Sequence, residues 1–260
     1  MVIERLLTSK EVLKEPAKAF TLGAFIAIIS LFIAYTIFPQ STGLFTVIMI
    51  TLASLPLMNR VLRYEEGEDE RIMETHTFFQ RYGDVIIAYV AFFSGMILTM
   101  SISFVVLPDT FVQKVFSEQI SQVNLIRGKF DFQNKFLEIF FNNSSVLMLS
   151  FLFSFLFGCG AIFILGWNAS VLAAAIGLIA KSSGGITAFP TAVMMFIPHG
   201  SFEIGAYFIG AIAGGLISAA VSRRHSVKLW LVVRDSIKLL ILSFVFLVIG
   251  GLIETTIIGL

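Results

Sequence analysis

The stretch Ala19–Phe38, AFTLGAFIAIISLFIAYTIF, contains no charged residue and only scattered hydroxyls. About 20 apolar residues in a helix cross the hydrocarbon core of a bilayer, and such a surface is solvated by lipid tails rather than by water. Five further segments read the same way: Gly43–Met58, Asp84–Leu107, Ser144–Leu165, Phe202–Val221 and Ser236–Leu260. The composition agrees. Hydrophobic residues make up 57% of the chain and charged ones 13%, with 28 Phe and a mean hydropathy of +0.91, whereas a soluble domain carries roughly a quarter charged residues. The expected fold is all-α, a polytopic transmembrane helix bundle. A net charge of +1 offers no basic face to nucleic acid. The single cysteine, Cys159, excludes a disulfide within the chain and gives no thiolate cluster for a metal. Met1 to Lys18 mixes Glu4, Arg5, Lys10, Glu11, Lys14 and Glu15; a cleavable signal peptide carries its apolar core sooner, so no processing is expected.

Between the fourth and fifth segments lies a less regular stretch, Asn168 to Ile197, interrupted by Lys181-Ser182-Ser183-Gly184-Gly185 and by Pro190. Its apolar pieces are each too short to span, so it reads as a broken helix or a re-entrant pair, tolerated where protein or a watery cavity covers it. Basic residues discriminate. Arg5, Lys10, Lys14 and Lys18 precede the first segment, and Arg60, Arg63, Arg71 and Arg81 follow the second, while the Pro39–Thr42 turn has none. By the positive-inside rule the N-terminus and the second loop are cytoplasmic. Arg223, Arg224, Lys228 and Arg234 then belong on the same side, which requires one net crossing by 168–197, seven passes in all and an external C-terminus. The outer loop, 108–143, resists this pattern with Lys114, Arg127, Lys129 and Lys135, although Asp109, Glu118, Asp131 and Glu138 alternate with them. The expected protein is a multi-pass cell-membrane protein in two portions. Residues 1–83 hold an amphipathic N-terminal helix, two passes and an acidic cytoplasmic loop; residues 84–260 form the transmembrane core.

Two elements outside the spans are amphipathic. Val2, Ile3, Leu6, Leu7 and Leu13 recur at helical spacing near the N-terminus, and Val112, Val115, Phe116, Ile120 and Val123 do so in the outer loop. Each suits the headgroup plane; the second equally suits packing on the protein's own helices. The acidic run Glu65, Glu66, Glu68, Asp69 and Glu70 is either a solvated linker or a docking patch for a basic partner. Ala206, Gly210, Gly214, Ser218 and Ser222 stand four apart on one helical stripe, and Ser150, Ser154 and Gly158 repeat the pattern. Small side chains let membrane helices approach closely. The stripe's partner is either internal or a second subunit of a homo-oligomer.

The polar residues inside the apolar half carry the functional signal. Asn142 and Asn143 open the fourth segment, where such residues cap helix N-termini. Asn168 either caps the next helix piece or serves as an interhelical hydrogen-bonding group. In Pro198-His199-Gly200-Ser201-Phe202-Glu203, proline suits the first turn of a new helix, and His199 and Glu203, four apart, share a face. They are either an end-of-helix ion pair or an intramembrane ionisable pair marking a proton, ion or ligand site. Glu254, near the end of the last pass, either snorkels to the interface or pairs with His199. Two ligands are too few for zinc, and Gly200 occupies the place where a zincin motif needs Glu. With no nucleophile elbow or phosphate-binding loop either, neither a cofactor nor catalysis is expected.

From Ile139 onward the chain resembles the stage II sporulation protein M family. The resemblance is carried by Ile-Phe-Phe-Asn142-Asn143-Ser-Ser-Val, a helix centred on Gly158, Gly-Trp-Asn168-Ala-Ser-Val and Ile-Pro198-His199-Gly200-Ser-Phe-Glu203. The remainder resembles an archaeal branch. There, two extra N-terminal spans end in a stretch like Leu55-Pro56-Leu57 and an acidic pair like Glu65-Glu66, and a motif like Val106 to Pro108 closes the next span. The resemblance implies an integral membrane protein of several helices without established catalysis. Its bacterial namesake works in membrane engulfment during sporulation and anchors cell-wall-degrading partners. Two functions are therefore expected. The first is a non-catalytic membrane scaffold or remodelling protein, in contact with the bilayer and with other membrane or cytoplasmic proteins. The alternative is a transporter or channel component with a polar intramembrane site around Asn168, His199 and Glu203. An intramembrane hydrolase using His199 and Glu203 is the least favoured.

Overall fold

A hydrocarbon solvent offers backbone groups no partner, so each crossing segment must satisfy its own N–H and C=O groups, and the helix does this. A computed structural model describes residues 9–72, 78–129, 135–158, 160–222 and 229–259, and no strand occurs among them. The helices are α1 (Ser9–Lys14), α2 (Pro16–Ile37), α3 (Thr42–Ile72), α4 (Phe78–Val106), α5 (Asp109–Val115), α6 (Ser117–Lys129), α7 (Lys135–Phe157), α8 (Ala161–Ser182), α9 (Phe189–Ser222) and α10 (Leu229–Gly259), with a 3₁₀ turn at Gly185–Ala188. Among the described residues, seven helices are long and apolar enough to cross a membrane, namely α2, α3, α4, α7, α8, α9 and α10. The protein is a polytopic helical bundle.

The second half differs from the sequence-based expectation. The expected fourth pass, Ser144–Leu165, is parts of two helices. α7 stops at Gly158, whose φ of 70° is the left-handed conformation that ends helices, and α8 starts after Gly160. The broken or re-entrant 168–197 stretch is not found. α8 runs unbroken through Asn168 to Ser182. The chain then turns on Gly184 and Gly185, with φ of 129° and 73°, before α9 begins. Pro190 is the second residue of α9, where its missing N–H is harmless. Pro198 starts no helix, since α9 continues through it. Asn142 and Asn143 are not caps either, because α7 begins earlier, at Lys135, which also shortens the outer connection. The acidic run Glu65–Glu70 is helical in its backbone, part of α3 continuing past the apolar window that ends at Val61. Its side chains lie outside the described residues.

α8 sits centrally, against α4, α3 and α7 as well as α9, while α9 packs chiefly on α7 and α10, and α2 on α4. One core runs from Val12 to Leu247, so both portions of the chain contribute to it. The closest contacts are built on glycine. A methyl group at Gly23 of α2 would meet the Phe92 carbonyl of α4, and one at Gly95 of α4 would meet the Phe20 carbonyl of α2. On α9, a methyl at Gly210 would strike the Leu147 side chain, and one at Gly214 the Phe151 carbonyl. Ala206, at the head of the stripe, is fully buried, and Ser218 near its foot is half-buried. The stripe's partner is therefore internal, α7, where Ser150 and Ser154 are buried.

The outer amphipathic element, α5 and α6, lies on the protein's own helices: Val112, Val115, Phe116 and Val123 are buried, and Ile120 packs against the same core. Lys181, at the end of α8, holds this layer down by donating to the Leu107 carbonyl and pairing with Asp109. At the N-terminus Leu13 is buried with Val12 in the core, whereas Val2, Ile3, Leu6 and Leu7 lie outside the described residues.

Gly214→Ala is expected to cost about 1–3 kcal/mol, the usual range for overpacking, because its Cβ would run into backbone. Gly200→Ala meets nothing within 4 Å and is expected to be neutral or to stabilise by up to about 1 kcal/mol. Thermal unfolding in detergent checks both; equal melting of the two variants would remove the close α7–α9 contact.

Candidate functional site

α7 and α9 run parallel along their shared seam, since Asn143, Leu147 and Phe151 meet Glu203, Gly210 and Gly214 in the same order. The two glycines bring the backbones together, and just beyond them the polar side chains come into reach. The Asn143 side-chain amide donates to the Glu203 carboxylate at 2.7 Å. Asn142, more exposed, donates to the Asn143 side-chain oxygen at 3.3 Å. Both asparagines stand two turns into α7, roughly 10–12 Å from its start at 1.5 Å per residue.

α10 approaches from the other side. It has a glycine at 250, where a methyl group would come within 3.0 Å of the Glu203 Cγ and 3.3 Å of the His199 carbonyl. One turn later on the same face, Glu254 lines the cavity beside Glu203, carboxyl to carboxyl. The Glu203–Glu254 contact replaces both alternatives expected for Glu254. Nor do His199 and Glu203 form an ion pair: His199 Nδ1 is buried without a hydrogen-bond partner, and the ring, 8% exposed, packs beside Phe196 at a centroid distance of 5.7 Å.

These groups surround a cavity of about 520 Å³ between α4, α6, α7, α8, α9 and α10. Asn142, Asn143, Asn168, His199 and Glu203, scattered over three helices, all line it, joined by Tyr207 and Glu254. Asn168 is held by its own helix, its amide donating to the Ile164 carbonyl at 2.8 Å; of the two roles expected for it, the cap is excluded. The remaining wall is apolar, with Phe93, Leu165, Leu172 and Phe208 among its members and Val123 and Ile126 of α6 over it. No Lys or Arg lines the cavity among the described residues. No group of three or more His, Cys, Asp or Glu side chains suited to a metal occurs among the described residues. Tyr207 escaped the sequence reading because a tyrosine one turn after Glu203 looks like ordinary core. The signal for Glu254 was its position as a lone acid four residues after a glycine in an apolar run.

The hydrogen bond to Glu203 makes Asn143 the structural keystone of the cluster. Asn143→Leu leaves a carboxyl without its donor at membrane depth, and a loss of about 1–3 kcal/mol is expected. Asn142→Leu, at a more exposed position, is expected to change stability by less than about 0.5 kcal/mol. Comparison of their melting curves at one pH checks the ranking; a reversed order would place the structural role on Asn142.

Neither a curated protein nor a solved structure matches the chain. A family model does, that of Stage II sporulation protein M, over residues 85–257. The matched region takes in α7 to α9, α10 as far as residue 257, and every residue of the polar cluster, and the chain belongs to the Stage II sporulation protein M family.

Proposed function

We propose that this family member is a non-catalytic membrane protein that binds a small solute in its intramembrane cavity and works as a transporter or transporter component. The observation that carries the reading is the convergence of Asn143, Asn168, His199, Glu203 and Glu254 on one cavity of about 520 Å³ inside the bundle. Polar and ionisable groups at that depth are costly and are characteristic of substrate or ion paths, and the volume lies in the range of small-molecule sites. α9 has a place to bend: Pro198 lacks the N–H that would bond the Met194 carbonyl, next to His199 in the cavity wall. The part of α9 before it carries exposed Met194, Met195 and Ile197, while Ala206 to Leu216 is buried almost throughout. A hinge between a half that turns apolar side chains outward and a half buried almost throughout suits access to the cavity.

Seven crossings with alternating connections support a reading in which the N-terminus and the segments that follow α3 and α9, residues 62–82 and 223–228, share one side. These carry Arg63, Arg71, Arg81, Arg223, Arg224 and Lys228, and the positive-inside rule makes that side cytoplasmic.

One observation favours the scaffold instead. The backbone of α3 continues as a helix beyond its apolar window, and that stretch contains Glu65, Glu66, Glu68, Asp69 and Glu70, an acidic composition suited to a basic partner protein. The small-residue stripe no longer argues for a homo-oligomer, because α7 occupies it.

A cysteine at Gly200, which lines the cavity with open space around its Cα, tests transport in a Cys159→Ser background. In oriented proteoliposomes a charged, membrane-impermeant thiol reagent is expected to label Gly200→Cys from both faces. Labelling from one face alone reduces the site to a receptor, and labelling from neither overturns the reading. For the scaffold, a pull-down from native membranes is expected to lose any stoichiometric partner when the five acids become Gln or Asn; capture that survives these substitutions removes the docking role.

A further inference from the structure

We propose that the cavity takes an amphipathic organic cation, its charged group seated between Glu203 and Glu254 and its apolar body against the aromatic and aliphatic wall. This inference rests on the reading of the cavity as a ligand site and names the class of ligand.

The charge pattern is the first argument. Two carboxyls face the cavity, and no Lys or Arg lines it among the described residues. Ionised carboxylates in a medium of low polarity need a positive partner close by. Among the described residues no fixed cation lines the cavity, so a proton on the pair is what meets that need, and an entering ammonium or phosphonium would meet it in the proton's place. An anionic ligand would find two acids and, among the described residues, no fixed cation. A small metal ion would find too few ligands, and the space is far larger than an ion needs.

The second argument is independent of the acids. His199 is nine-tenths buried, lines the cavity, and its Nδ1 has no partner. A buried polar atom left unbonded costs stability, which is expected where a ligand supplies the missing bond. The third argument is the wall: Phe93, Phe196, Tyr207 and Phe208 present aromatic rings to the cavity, and aromatic rings attract desolvated organic cations.

Binding exchanges one cation for another. The ligand enters with its charge, the carboxyl pair gives up its proton to water, and the net charge of the site is conserved. Among the described residues, the other titratable groups facing the pair are His199 and Tyr207 on α9, and α4, α6, α7 and α8 contribute none to the lining. Because a proton is released, lowering the pH opposes binding, by at most about tenfold in apparent Kd per pH unit for one proton.

Purified full-length protein in lipid nanodiscs provides the test. Equilibrium binding of tetraphenylphosphonium is compared with that of triphenylphosphine oxide, a neutral molecule of related shape. The expected result is at least tenfold tighter binding of the cation, weakening as pH falls. The E203Q/E254Q double variant, isosteric and checked by its melting curve, is expected to bind both probes alike. Equal binding of the two probes by the unaltered protein would overturn the cation inference and leave a charge-blind ligand site. Binding of neither would overturn the ligand site as well. Since the key comparison uses the unaltered protein, it does not depend on the variant folding.

Discussion

Lipid tails gain nothing when two apolar helices leave them for each other, so the bundle cannot rely on the force that collapses a soluble core. Helices must instead fit closely enough for dispersion and backbone contact to outweigh lipid contact. Here that fit is concentrated at a few glycines. Gly23 and Gly95 let α2 and α4 touch backbone to backbone in a reciprocal pair, and Gly210 and Gly214 bring α9 onto α7. Gly250 repeats the device between α10 and α9. The other helices are arranged around these approaches, with α8 at the centre.

The polar cluster is a product of the same contacts. An asparagine and a glutamate on neighbouring helices reach 2.7 Å only if the helices are already close, and Gly210 and Gly214 continue that seam. Glu254 reaches Glu203 from α10 because the residue one turn earlier has no side chain. Close packing on two sides of α9 thus leaves its third side free to face the cavity, and the costly groups collect there. The cavity and the tight seams are two results of one arrangement.

What the sequence made legible follows from what hydropathy measures. Long apolar runs announced a membrane bundle, and the small-residue stripe announced a close helix contact. Turns between apolar helices were harder. Ser144–Leu165 looked like one span because only Gly158, Cys159 and Gly160 separate α7 from α8, and a glycine that ends a helix is written with the same letter as one that packs it. Pro198, Asn142 and Asn168 misled for a related reason. In water these residues mark helix ends, but inside a bundle neighbouring groups and the helix's own carbonyls satisfy them, as the Ile164 carbonyl does for Asn168. His199 and Glu203 were recognised as unusual, yet the partner of Glu203 lies on another helix, 60 residues away in sequence. No local spacing encodes that pairing.

The α7–α9 seam also determines which mutational lesions can be repaired. At Gly210 the obstacle to a larger residue is the Leu147 side chain, which a second mutation can shorten. At Gly214 the obstacle is the main chain at Phe151, which every amino acid shares. A genetic selection for restored folding should therefore return compensating changes at Leu147 for the first lesion, and for the second only reversion or changes that shift a whole helix. Two glycines on one stripe, alike in sequence, thus differ in the evolutionary routes open to them.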